Sequence, residues 1–317
     1  MELFASVSAN MTANAFILIV SILFLWKGAE ALVESASRIA EKFGVSDLVI
    51  GLTVVAFGTS APEFAVTINA AWHKQADISV GNIVGSNIFN LGFILGTVAL
   101  FRAIKSDRKL VYRDGIFMIL VTFLLLFFFY DNHLARYEGI ILMSILAGYL
   151  VFLFLNKESL EEEEILHEEA TWKDMVILPV SIAIVITGGH LLVQSATFMA
   201  HAASIPEWVI GVTIVAAGTS APEMATSLAA VMKGRHGMSA GNLIGSDLFN
   251  ILGVLGLAGA INPMTINEKA YSSLLMLSGM VILVIVLLRT GWRLSRLEGA
   301  LLLCIGLARW ILDFLTK

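Results

Sequence analysis

The sequence predicts an all-α, polytopic membrane protein of ten transmembrane helices arranged as two inverted five-helix repeats. Three observations predict it: long apolar runs, an internal duplication at an offset of 160 residues, and an odd number of spans in the duplicated unit. Of the 317 residues, 58% are hydrophobic and 14% charged. A soluble domain would carry about 25% charged residues. Several runs exceed the roughly 18 apolar residues that mark a membrane-crossing helix.

The spans are expected at 14–43, 46–72, 78–101, 114–130, 134–155, 175–202, 206–232, 238–261, 270–288 and 297–314. The first and sixth are longer than a bilayer requires, which implies tilt or protrusion. The second and seventh are each interrupted by the same hexapeptide, "GTSAPE", at Gly58–Glu63 and Gly218–Glu223. The third and eighth carry "GNIVGSNIFN" and "GNLIGSDLFN". The fourth contains "FLLLFFFY", which reads as a lipid-facing wall. The only long hydrophilic stretch, "NKESLEEEEILHEEATWK", separates the two halves. It reads as a solvated acidic linker, because it lacks the Asp-rich loop and turning Gly of a calcium hand. The organisation is therefore a first repeat at 1–155, a linker at 156–173 and a second repeat at 174–317. The N-terminus has no basic region of the kind that opens a cleaved signal. Cys304 is the single cysteine, so no internal disulfide forms.

Orientation follows from Lys and Arg in short loops. Arg102, Lys105, Arg108, Lys109 and Arg113 follow the third span; Lys233 and Arg235 follow the seventh; Arg289, Arg293 and Arg296 follow the ninth. These loops fall on one side, which is read as cytoplasmic. Lys74, Arg136 and Lys269 are nearly all that the other side carries. Both termini are then expected outside the cytoplasm, in a cell (inner) membrane.

The duplication is explicit. "GLTVVAFGTSAPEFA" from Gly51 aligns with "GVTIVAAGTSAPEMA" from Gly211, and "SVGNIVGSNIFN" from Ser79 with "SAGNLIGSDLFN" from Ser239, without a gap. "GAEALVESA" from Gly28 echoes weakly in "GGHLLVQSA" from Gly188. A unit of five spans leaves the chain on the opposite face, so the second copy enters inverted. Inverted repeats around broken helices mark secondary transporters with a midplane binding site.

The chemistry of the break is that of a hard cation. Pro62 lacks an N–H and disfavours helix at Ala61, so backbone carbonyls of the preceding turn lose donors. Such a break is tolerated in a membrane only where it lines a polar cavity or binds something. Carbonyls, the Thr59 and Ser60 hydroxyls and the Glu63 carboxylate are all oxygen ligands, and no Cys or His lies in the motif. Ser86 and Asn90 share a helix face four residues apart; Gly81 and Gly85 allow close helix approach. The other half supplies Thr219, Ser220, Glu223, Ser246 and Asn250. Taken singly, each feature is ordinary packing, back-bonding or a kink. Repeated together at fixed offset, they point to a site.

At these residues the sequence resembles the sodium/calcium exchanger family, within the cation/Ca2+ exchanger superfamily. The two blocks, 51–96 and 211–256, are similar to its α-repeats. The resemblance implies that Glu63 and Glu223 are the central carboxylate ligands. It implies flanking hydroxyl or carbonyl ligands from Thr59, Ser60, Thr219 and Ser220, backbone carbonyls from Ala56 and Ala216, and completion of the site by Ser86, Asn90, Ser246 and Asn250. It also implies that the first and sixth spans slide together as a gate. Some members carry Asp where Asn250 stands. Here Asp247 is the nearby carboxylate, about 100° around an ideal helix from Ser246; the expectation is a supporting or packing residue, with membership of the site as the alternative.

The expected function is antiport of Na+ against Ca2+ by alternating access at one oxygen-lined site. The transported ions are Ca2+ and Na+, with H+ or K+ as alternative co-ions and no cofactor. Two glutamates neutralise one Ca2+, two Na+ or two protons. A Ca2+/H+ exchanger, a K+-dependent exchanger, a cation channel and a non-transporting scaffold are the other readings. No catalytic triad, phosphate loop or redox motif appears, so no enzyme is expected, and nothing points to nucleic acid. Oligomeric state is left open. Lys27, Glu30, Glu34 and Arg38 form an ion-paired face on the first span, and His190 is a weak proton-sensitive candidate.

Overall fold

A computed structural model describes residues 11–156, 171–204, 216–266 and 268–315. Most of the acidic linker and the start of the seventh expected span, 206–215, lie outside the described residues. The rest is a bundle of helices: α1 (Met11–Phe43), α2 (Asp47–Thr59), α3 (Ala61–Trp72), α4 (Ala76–Phe101), α5 (Leu110–Phe128), α6 (Arg136–Leu155), α7 (Trp172–Ala202), α8 (Ala216–Thr219), α9 (Ala221–Met232), α10 (His236–Ile261), α11 (Glu268–Arg289) and α12 (Arg296–Leu315). Seven helices are long and apolar enough to cross a membrane, and the bent pair α2–α3 makes an eighth. Polytopic membrane insertion therefore agrees with the sequence. The expected ends differ from the observed ones by a few residues, as at α7, which begins at Trp172 behind a Thr171/Asp174 capping box.

Four two-residue strands tie the loops together: β1 (Ile104–Lys105), β2 (His133–Leu134), β3 (Met264–Thr265) and β4 (Arg293–Leu294). β1 pairs antiparallel with β4, and β2 with β3. The registers are Ile104 opposite Leu294 and Leu134 opposite Met264. A shift of 160 residues converts one pair into the other. The same holds for the glycine contacts. A Cβ on Gly96 would meet the Gly299 carbonyl at 2.8 Å, and one on Gly256 the Gly139 carbonyl at 3.0 Å. Only glycine permits α4 to lie this close to α12, and α10 to α6.

α4 and α10 are the most buried spans, and α1 and α7 among the least. α1 packs along α7 more extensively than any other helix pair. The pair lies on the outside of the bundle. Lys27 bonds Glu30 at 2.8 Å within α1, but Arg38 reaches across to Asp174 of α7 at 2.7 Å, and Glu34 pairs with Lys233. The charged face of α1 is thus partly a set of ties to neighbouring elements. His190 is exposed and bonded to Gln194, away from the carboxylates.

Four helices carry a π-helical turn: α2 at Gly51–Val55, α4 at Asn90–Ile94, α5 at Leu110–Gly115 and α10 at Phe249–Leu255. Such turns recur at functional positions. Those of α4 and α10 contain Asn90 and Asn250.

Candidate cation-binding site

The two helix breaks and the two central helices build one polar cluster inside the bundle. α2 and α3 meet at Ser60 with a 52° bend. Pro62 occupies the first turn of α3, where its missing N–H costs nothing, and Pro222 does the same in α9. Gly58 loses the donor that residue 62 would have supplied. The Ala56 carbonyl does not: it accepts from the Ser60 N–H at 3.0 Å. The expectation that Ala56 offers a freed carbonyl is corrected to that extent, and only its second lone pair is available. Ala216 opens α8, and its surroundings lie outside the described residues.

Glu63 and Glu223 fall in the first turns of α3 and α9, where unpaired N–H groups favour an anion. Both are essentially without solvent contact. Their bonds cross between the halves. Ser220 Oγ donates to Glu63 Oε1 at 3.0 Å, and Ser60 Oγ donates to Glu223 Oε1 at 3.3 Å. Ser86 adds a bond to Glu63 Oε1 at 3.4 Å. Thr219 faces Glu63 and Thr59 faces Glu223 in the same crossed sense. Thr59 also meets Ser246 at 3.4 Å and Asn242 Oδ1 at 3.2 Å.

The remaining expected residues form a second layer of contacts. Asn90 Nδ2 donates to Asp247 Oδ1 at 2.9 Å, and Asn250 Nδ2 to Asn87 Oδ1 at 2.9 Å. Asp247 is therefore inside the cluster, fully buried and close enough to Glu63 for their charges to repel. The helical-wheel argument is right about direction and wrong about consequence. Ser246 points at α2 and Asp247 turns away from it. But α10 is buried on every side from Met238 to Leu248, so turning away still leads inward, toward α4.

Two functional positions escaped the sequence reading. Asn82 Nδ2 donates to the Glu63 carbonyl at 3.4 Å and to Thr67 Oγ1 at 2.9 Å. Asn242 repeats this on the Glu223 carbonyl at 3.4 Å and Ser227 Oγ at 2.9 Å. Each amide holds the backbone of a glutamate to the adjacent helix. The signal was present: an Asn follows the first Gly of "GNIVGS" and "GNLIGS" in both halves. Gly241 and Gly245 bring α10 against Leu48 and Leu52 of α2. The equivalent partners of Gly81 and Gly85 would be positions 208 and 212, outside the described residues.

Several buried oxygens have no hydrogen-bond partner among the described residues: Glu63 Oε2, Glu223 Oε2, Asp247 Oδ2, Asn90 Oδ1 and Asn250 Oδ1. A buried polar atom without a partner is costly, and a buried charge more so. Among the described residues no three His, Cys, Asp or Glu side chains are placed to hold one metal ion. Hydroxyl, amide and carbonyl oxygens must share that work with the carboxylates, which is the donor set of Ca2+ and Na+ rather than of a transition metal.

Known proteins agree with this chemistry. The profile of the family described as "Sodium/calcium exchanger protein" matches residues 13–155 and 173–306. The putative antiporter CaxA of Alkalimonas amylolytica is 37% identical, covering 92% of this chain and 96% of its own length. The sodium/calcium exchanger MaX1 of Methanosarcina acetivorans is 32% identical, covering 96% of this chain and 99% of its own. The solved structure of the sodium–calcium exchanger NCX_Mj superposes with a TM-score of 0.84 at 29% identity, over 94% of this chain and 98% of that one. A fold of this kind, built around crossed glutamates and matched over both halves, places the chain in the sodium/calcium exchanger family of membrane transporters.

Proposed function

We propose that this chain exchanges Na+ for Ca2+ by alternating access at the site around Glu63 and Glu223. The observation that carries the reading is the crossed pair of bonds, Ser220 to Glu63 and Ser60 to Glu223. Each half of the molecule holds the other half's carboxylate, so a change of loading is felt by both. Ca2+ and Na+ require the same carboxylate oxygens, so one loading displaces the other. An unfilled pair of carboxylates at membrane depth is costly, and that cost disfavours a switch without cargo.

The same reading takes the chain as ten spans in two inverted repeats, 1–155 and 174–317. The interchange of β1–β4 and β2–β3 under a 160-residue shift supports it. So does the grouping of the basic loops at one end. Arg102 bonds the Val231 carbonyl at 3.3 Å, Lys105 pairs with Arg293, and Arg289 lies over Trp292. At the other end the symmetry mate of Arg102 is Asn262, bonded to the Ala71 carbonyl at 3.3 Å. Positive charge is kept at one end only, which supports a cytoplasmic assignment for that end and external termini.

The test is Na+-gradient-driven uptake of radiolabelled Ca2+ into proteoliposomes at clamped pH. Glu63→Gln and Glu223→Gln should each abolish uptake while leaving the melting temperature within a few degrees. Full uptake by either variant would remove the glutamates from the site. Uptake that follows an imposed pH gradient and ignores Na+ would make the protein a Ca2+/H+ exchanger instead.

A further inference from the structure

The inverted halves are not chemically equal at one pair of positions. Asn87 in α4 corresponds to Asp247 in α10. Asn87 uses its amide hydrogens on the Asp247 main-chain carbonyl at 3.1 Å. The symmetry mate of that bond would need an N–H₂ where Asp247 has an oxygen. Asp247 cannot donate, and its Oδ2 is buried without a hydrogen-bond partner among the described residues. Two further oxygens in the same layer are in the same condition. Asn90, whose Nδ2 bonds Asp247 Oδ1, leaves its Oδ1 unpaired, and so does Asn250, whose Nδ2 bonds Asn87.

An amide-to-carboxylate replacement therefore puts one full negative charge and three unpaired oxygens into a buried layer beside the glutamates. No Lys or Arg lies in either polar motif to balance it. Such a group is unstable unless a cation joins it, since an unpaired buried charge is among the costliest features a protein can hold. One carboxylate balances one monovalent ion, and oxygen donors select a hard one. We propose that Asp247, with the amide oxygens of Asn90 and Asn250, is a separate subsite for a small monovalent metal cation. The site exists in one half only, so this exchanger carries a cation position with no counterpart across its pseudo-twofold axis. The inference rests on the cation-exchange reading above, and it predicts something that reading does not.

The experiment uses the purified full-length chain in nanodiscs without Ca2+. Thermal unfolding is followed while NaCl replaces choline chloride at constant ionic strength. A cation that binds only the folded state raises the melting temperature with its own saturation curve. Wild type should show that rise. Asp247→Asn is isosteric, and Asn87 shows that an amide fits this layer. It should raise the Na+ concentration for half-maximal stabilisation roughly tenfold or abolish the effect, the loss of about one charged ligand. The exchanged variant Asp247→Asn/Asn87→Asp should recover Na+ stabilisation, because Asn250 can serve the relocated carboxylate as Asn90 serves Asp247. An unchanged Na+ response in Asp247→Asn overturns the proposal, as does an exchanged variant no better than the single one. Failure of the exchange reading itself would show elsewhere, as wild-type protein that neither binds nor transports Ca2+.

Discussion

At the scale of single residues, the two serines show how little separates a ligand from a hinge. Ser60 and Ser220 each belong to one half and bond the carboxylate of the other. A hydrogen bond to a charged group contributes about 1.5–3 kcal/mol. Ser60→Ala or Ser220→Ala should therefore weaken Ca2+ binding by about 10- to 100-fold. The double variant should fall short of the product, because the two bonds share one cluster. Equilibrium binding of radiolabelled Ca2+ to the three variants measures this; a change under twofold in both single variants would show that the crossed bonds are incidental. Asn82 and Asn242 act one step back, through the glutamate main chain. Asn82→Ala and Asn242→Ala should slow uptake and also leave Thr67 or Ser227 without its amide partner, costing about 1–3 kcal/mol. Rescue of uptake by Asn82→Gln but not by Asn82→Leu would identify the hydrogen bond rather than the volume as the cause. The glutamates, serines and threonines were readable in the sequence because they repeat inside one hexapeptide. Asp247 was half-readable: its direction follows from helical geometry, but its burial depends on α10 being enclosed on all sides, which no local pattern reports. Asn82 and Asn242 were visible as letters, and their role depends on which carbonyl the neighbouring helix presents.

At the scale of elements, the break between α2 and α3 is a property of proline that the sequence states outright. Pro62 and Pro222 stand in first turns, where they stabilise the start of one helix while ending another. Pro62→Ala supplies the missing N–H opposite the Gly58 carbonyl and removes the ring clash. α2 and α3 should then straighten toward one continuous helix, drawing Glu63 off the cluster. The expected result is paradoxical: a melting temperature equal to or above that of wild type, with uptake reduced by tenfold or more. Differential scanning calorimetry beside the uptake assay checks both arms. Undiminished uptake would mean that the bend is set by packing and not by the imide. The π-helical turns in α4 and α10 are the elements the sequence did not announce. An extra residue in a turn leaves the 3.6-residue apolar pattern nearly intact, so the widening at Asn90 and Phe249–Leu255 emerges only from packing. Boundaries were legible to a few residues, and the interior distortions that aim Asn90 and Asn250 were not.

At the scale of the whole molecule, the duplication predicts two ends that share one backbone design and differ in charge. The strand pairs make this concrete. Lys105 lies opposite Arg293 at one end, and the equivalent positions at the other end are Thr265 and His133. Local backbone pairing is thus indifferent to the charge difference, and membrane insertion supplies its reason: Lys and Arg in short loops stay in the cytoplasm. The two strands can be used to read the topology directly. Cys304 is the single native cysteine, so Cys304→Ser gives a clean background. Lys105 and Thr265 are both exposed, and they are symmetry mates. On that background Lys105→Cys should resist a membrane-impermeant maleimide in intact cells and react once the membrane is opened. Thr265→Cys should react in intact cells. Reaction of both from the same side would refute the inverted repeat, because a unit with an even number of crossings returns its copy to the same face. A clean reversal of the two would leave the repeat standing and overturn the charge-based orientation. The expected pattern, one position labelled from each side, follows from five crossings between equivalent residues and from nothing else in the fold.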